Sequence, residues 1–205
     1  MWVLAAIAIF VLSRLSVLVT PQDSTVAAWW PAAGVSALFI LRTPRSQWGA
    51  VVVMVGLVTG VANAVAGRPL PVSICFGIAN AAEAGVFAQL LHYGRRNRLL
   101  LDSVSSAWRL SLSTIAASGL LGVLVGAVVA QSTSEAAVVG VHAAASHAGA
   151  ILLIAPFAIL PPHIGQPTPI GEIIAQIVIL TAILVLLATG GSSLPLTFLP
   201  VGIIT

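Results

Sequence analysis

The segment CFGIANAAEAGVF carries Asn80 and Glu83 within a long apolar run. Three residues apart, they lie about 60° apart around a helix and share one face near its middle. They form the best polar pair in the sequence. An ionisable group at membrane depth costs roughly 2.5–3.5 kcal/mol on insertion scales, so it needs a partner, a wet cavity or a route to the interface. Two readings stay open: a ligand or proton site, or an interhelical hydrogen-bond clamp to Asn63, Arg14 or a backbone carbonyl. With no cation nearby, a neutral Glu83 is the cheaper state, because an unpaired buried charge is costly.

A second polar group follows in GVHAAASHAGAILLIAPF, with His142 and His147. Five residues correspond to about 140° on a helix, so the two imidazoles diverge and do not chelate one metal ion. No metal and no cofactor are expected. For a helix starting at Ala136, His147 lies roughly 16 Å along it, close to mid-bilayer. A neutral imidazole both donates and accepts, and histidine titrates nearest neutrality, so His147 is either a structural bonding group or a pH-sensing one. Arg14 either snorkels to the interface from the first apolar run or pairs with Glu83. The chain has no glycine-rich phosphate loop, nucleophile elbow, CxxC or HExxH motif, and so offers no recognisable enzyme chemistry.

These groups must be positioned by apolar elements. Of 205 residues, 59% are hydrophobic and 6% charged, with a mean hydropathy of +1.12; an ordinary soluble domain has roughly 25% charged residues. The sequence is that of an integral membrane protein of all-α class, a polytopic helix bundle forming one domain over 1–205. Its net charge of +3 comes from eight arginines and no lysine, too few for a nucleic-acid surface. The single Cys75 excludes an internal disulfide and reads as a small buried residue. The first run lacks a basic start and a cleavage box, and reads as a retained helix rather than a signal peptide.

Apolar runs at 1–20, 26–41, 48–66, 70–92, 108–130, 136–160 and 170–187 give seven candidate spans. The terminal stretch from 194 to 205 is too short to span and reads as a truncated eighth, so the sequence is expected to be a fragment. With Met1 inside, six arginines (42, 45, 95, 96, 98, 109) fall on inward connections and Arg68 alone on an outward one, which predicts a cytoplasmic N-terminus. Glu172 at the start of the seventh run suits a helix N-terminus. Gly56 with Gly60, and Gly122 with Gly126, form GxxxG pairs that suit close packing within the chain or, as a second use, a homodimer seam. Pro156 is expected to kink or end its helix.

The run at 26–41 is unusual: VAAWWPAAGVSALFI holds two tryptophans, Pro31 and Gly34. Trp29 and Trp30 suit the headgroup zone, Pro31 suits a first helical position, and Gly34 allows close approach. From Pro31 to Leu41 a helix is only about 16 Å long. Either it starts earlier, near Ser24, and bends, or it starts at Pro31 after extended backbone sheltered by other helices. In the second case free N–H groups face the bundle, a natural anion or ligand contact.

Five stretches, WWPAAGVSALFIL, GLVTGVANAVAG, GIANAAEAGVFAQLL, HAGAILLIAPFAI and PLTFLP, resemble in order and spacing the membrane-associated sensor domain family of type one (MASE), a bacterial integral membrane input module of about eight helices. Its motifs fall on Trp30, Pro31 and Gly34, on Asn80 and Glu83, and on Ala155 and Pro156. Where the family usually has an aspartate, this sequence has His147, which puts the acid function of that position in doubt.

The resemblance implies a multi-pass sensory module of the cell inner (plasma) membrane, coupled in cis to a cytoplasmic output domain after residue 205, either the histidine kinase of a two-component system or a cyclic-di-GMP enzyme. The stimulus, a small molecule or a membrane protein, is not named by the resemblance. The alternative is a small-molecule transporter or the substrate-binding membrane subunit of a vitamin importer, since proline-interrupted segments beside polar residues also build transport sites.

Overall fold

The computed structural model describes residues 1–20, 26–94 and 100–159, which are helical almost throughout and contain no strand. The helices are α1 (Trp2–Leu18), α2 (Pro31–Arg42), α3 (Trp48–Val65, preceded by a 3-10 turn at Arg45–Gln47), α4 (Leu70–His92), α5 (Val104–Val129), α6 (Thr133–Ile154) and the short α7 (Pro156–Ile159). The seventh expected run, Glu172 and the terminal stretch lie outside the described residues.

Four helical segments, Arg45–Val65, Leu70–His92, Val104–Val129 and Thr133–Ile159, are long and apolar enough to cross a membrane. α1 and α2 are shorter, at 17 and 12 residues. The outward faces of the long helices are apolar too: Val53, Leu57 and Val61 on α3, Ile74 and Ile78 on α4, Leu112 and Ile115 on α5 are all exposed. Such a surface suits hydrocarbon, not water, and with the composition it marks a membrane protein.

Local signals set the boundaries and correct several expected ones. α5 begins four residues before the expected 108 because Ser103 and Ser106 form a capping box, satisfying N–H groups that otherwise lack a partner. α6 begins at Thr133 because the Ser132 hydroxyl accepts from the Glu135 N–H at 3.2 Å. It stops at Ile154, and Pro156 opens the four-residue α7, as its missing N–H requires.

α2 starts at Pro31, not at 26. Residues 26–30 are non-helical, with Val26, Ala27 and Trp30 buried. Of the two arrangements left open by the sequence, this is the helix that starts at Pro31, after non-helical backbone sheltered by the bundle.

Two small-residue seams hold neighbouring helices close. α3 meets α4 where a Cβ added to Gly77 would lie 3.2 Å from the Gly60 Cα, and α5 meets α6 where one added to Gly140 would lie 2.8 Å from the Gly122 carbonyl oxygen. Both expected glycine pairs are thus used inside the chain, where lipid makes close backbone approach more valuable than apolar burial.

α4 also packs on α5, and α2 lies among α1, α4 and α6. At one end of the bundle Arg42 donates to the Phe157 carbonyl at 2.6 Å and Arg109 to the Tyr93 carbonyl at 2.7 Å. At the other end Gly67, at φ 95°, turns the chain between α3 and α4, a conformation that favours glycine. The Arg68 N–H closes that turn onto the Asn63 carbonyl at 3.1 Å.

Candidate functional site

Glu83 on α4 is 2% exposed, His147 on α6 is 6% exposed, and they are in direct contact. The His147 Nδ1 lies 2.6 Å from the Glu83 Oε2. On the other side Ser118 of α5 donates its hydroxyl to the Glu83 Oε1 at 2.8 Å. Each carboxyl oxygen therefore has one partner, from a different helix, which offsets the loss of water around a buried acid. With Nδ1 committed to Glu83, the second ring nitrogen of His147 has no bonding partner among the described residues.

A fourth element completes the junction. Trp30, the residue before α2, lies parallel to the His147 ring, with centroids 5.7 Å apart and planes inclined by 8°. Since His147 is fourteen residues into α6, about 21 Å along it, α2 begins deep in the bundle. Trp30, 5% exposed, belongs to the sheltered start of α2, the second of the two arrangements the sequence allowed, whereas Trp29 is 39% exposed. Gly34 explains how α2 fits so closely: a Cβ there would lie 2.6 Å from the Ile154 side chain of α6. Any larger residue would push the two helices apart.

Above the pair is a small cavity of about 20 Å³ lined by Val26, Trp30, Arg68, Asn80 and His147, among others. Such a volume has room for about one water-sized particle. Asn80 donates to the Phe76 carbonyl of its own helix at 2.8 Å and is not bonded to Glu83. The Arg68 guanidinium lies over the Phe76 ring, 4.7 Å from its centroid, a cation–π arrangement. Burial lowers the Arg68 pKa from its ordinary value, as removal of a cation from water must.

The remaining candidates lie apart. Asn63 is fully buried and donates to the Thr59 carbonyl at 2.8 Å, supporting the Arg68 turn rather than bonding Glu83. His142 is half-buried and is not brought to His147. Arg14 is exposed on α1 and does not pair with Glu83, which is held by Ser118 and His147. Cys75 is half-buried, not fully so. Among the described residues no three His, Cys, Asp or Glu side chains are grouped to hold a metal ion.

No family model, curated protein or solved structure matches the chain. The site must be read from its own chemistry.

Sequence reasoning selected Asn80 and Glu83 as a pair and Trp30, Gly34 and His147 apart from them; the fold gathers them but bonds Glu83 to His147 and Ser118, not to Asn80. It missed Ser118 and treated Arg68 only as a topological marker. A signal for Ser118 was present: it precedes Gly122 and Gly126 at four-residue spacing, so all three share one face of α5.

The Glu83–His147 contact lies where α2, α4, α5 and α6 meet, and electrostatic effects are strong there because the pair is away from water.

Proposed function

We propose that this chain is the sensory input module of a bacterial signalling protein, placed in the inner membrane with its N-terminus and its arginine-rich end in the cytoplasm. The stimulus acts at the Glu83–His147 junction. It changes how α2 packs against α4 and α6, and the change passes through the remaining spans to a cytoplasmic output domain. The observation that carries this reading is the buried Glu83–His147 contact at 2.6 Å, beside a helix that begins in mid-bundle. An ionisable pair at such depth is expensive, and Trp30 at the start of α2 stacks directly on its imidazole. A stimulus needs only to stabilise one packing over another.

The distribution of arginines along the sequence supports this orientation, and the resemblance to the sensor family supports the sensory reading. Import of a vitamin-sized substrate has less support, since ligand pockets for such molecules are roughly 300–1,000 Å³ and the cavity at the junction is about 20 Å³.

The test begins with the coding sequence beyond residue 205 and then measures output activity in membranes for the native protein, Glu83→Gln and His147→Asn. The expected result is a kinase or cyclic-di-GMP domain whose activity becomes fixed in one state by either substitution. A reading frame with no output domain, or an output indifferent to both changes, overturns the proposal.

A further inference from the structure

We propose that the cavity bounded by Trp30, Arg68, Asn80 and His147 binds a small monovalent anion of about the size of chloride. This deepens the sensor reading, on which it rests for its functional meaning, by assigning a ligand class to the same junction.

Three independent features converge on an anion. The first is charge. Arg68 brings a half-buried guanidinium to the cavity, and among the described residues its side chain contacts the Phe76 ring but no carboxylate. A cation drawn out of water without a counter-charge is costly, and a bound anion would offset that cost.

The second feature is an unused donor. Trp30 is 5% exposed and lines the cavity, yet its indole Nε1–H has no acceptor. Buried indole N–H groups usually have a partner. Because an indole only donates, whatever satisfies it must be an acceptor. Asn80 adds a second hydrogen on its amide nitrogen, the first being given to the Phe76 carbonyl.

The third feature is the start of α2. Its N-cap is Trp30 itself, so the positive end of that helix adjoins the cavity in the interior of the bundle. Among the described residues Glu83 is the carboxylate at this junction; it does not line the cavity, and both its oxygens are already bonded. The volume of about 20 Å³ limits the occupant to a single atom or one water-sized group. A halide satisfies the size, charge and acceptor requirements together, whereas water leaves the arginine charge uncompensated.

The test uses the full chain in phosphatidylcholine nanodiscs, titrated with chloride against gluconate at fixed ionic strength, with the thermal midpoint as readout. The expected result is a saturable rise of about 3–5 °C, reproduced by bromide. In Arg68→Gln and Trp30→Phe the rise should shrink to under about 1 °C. Trp30→Phe keeps the aromatic stack and removes only the donor. If Arg68→Gln does not fold, Arg68→Lys replaces it, with chloride affinity expected to fall at least about fivefold.

No rise, or an equal rise in every variant, overturns the proposal. A stabilisation that instead follows phosphatidylglycerol content and vanishes in Arg68→Gln also overturns it, since a lipid phosphate would then be the partner. The output assay on Glu83→Gln is run without chloride. Loss of the anion effect with a retained Glu83 effect removes the anion alone, and the reverse outcome removes the sensor reading alone.

Discussion

The α5–α6 seam and the α2–α4–α6 junction solve the same problem in opposite ways. At the seam, Gly122 and Gly140 bring two helices together by having no side chains, and the backbones touch over an apolar surface. At the junction, Trp30, Glu83, Ser118 and His147 join four elements through one carboxyl group and one stacked ring. The first contact has nothing that a change in charge or ligand can alter. The second has a buried carboxyl–imidazole contact, an indole donor with no partner among the described residues and a neighbouring cavity. The comparison separates what holds this bundle together from what can respond.

The largest expected effect comes from breaking the polar contact on one side only. His147→Leu leaves Glu83 buried with Ser118 as its sole partner, and should cost about 3–5 kcal/mol in steric-trap or denaturant measurements in bilayer mimetics. If the cost is below about 1 kcal/mol, the pair is not the tie described here.

The seam should respond to volume and not to charge. Gly122→Val would force its new side chain against the α6 backbone, with an expected loss of about 2–3 kcal/mol. On the proposed sensor reading, output would track that instability without locking in one state, which would sharpen the distinction between the two regions.

His147→Asp places at this position the residue that the sensor family usually has. Two carboxyl groups so close favour sharing one proton, and one protonated acid can donate to the other. The expected cost is about 2 kcal/mol, smaller than for leucine because a hydrogen bond is regained.

Ser118→Ala removes one of the two bonds to Glu83 and should cost about 1–2 kcal/mol. In a double-mutant cycle with Glu83→Gln the two changes should be coupled by at least about 0.5 kcal/mol. Additivity within error would place Ser118 outside the junction.

Helix identity was legible because each apolar run was long and bounded by proline, glycine or polar residues. The runs at 48–66 and 70–92 match α3 and α4 within a residue or so. The starts of α5 and α6 were misplaced because hydropathy responds to apolar residues, and a serine cap is not apolar. Pro156 was legible as an end because its effect is covalent and local. The glycine seams could be anticipated, but not which helices they would join.

The site was legible as parts and not as a whole. Glu83 and His147 each stood out because a buried ionisable group is costly wherever it lies. Their pairing spans 64 positions in sequence, and no local pattern encodes it. Trp30 was legible as two alternatives, because a tryptophan before a proline fits an interface or a sheltered helix start equally well, and only the depth at which α2 begins places it against His147. Arg68 was assigned to a loop, correctly, but the turn at Gly67 that brings it to the cavity depends on packing between α3 and α4.

The sequence by itself determined the solvent and the vocabulary: a chain 59% hydrophobic and 6% charged must satisfy its backbone internally in lipid, so helices and a few expensive polar residues follow. Tertiary structure decided which of those residues meet. It set α2 in mid-bundle, gave Glu83 a partner from each of two other helices and brought Arg68, which has no carboxylate partner among the described residues, to a cavity beside an unused indole donor. Composition and spacing act through local geometry, whereas these encounters depend on how closely small residues allow distant helices to approach.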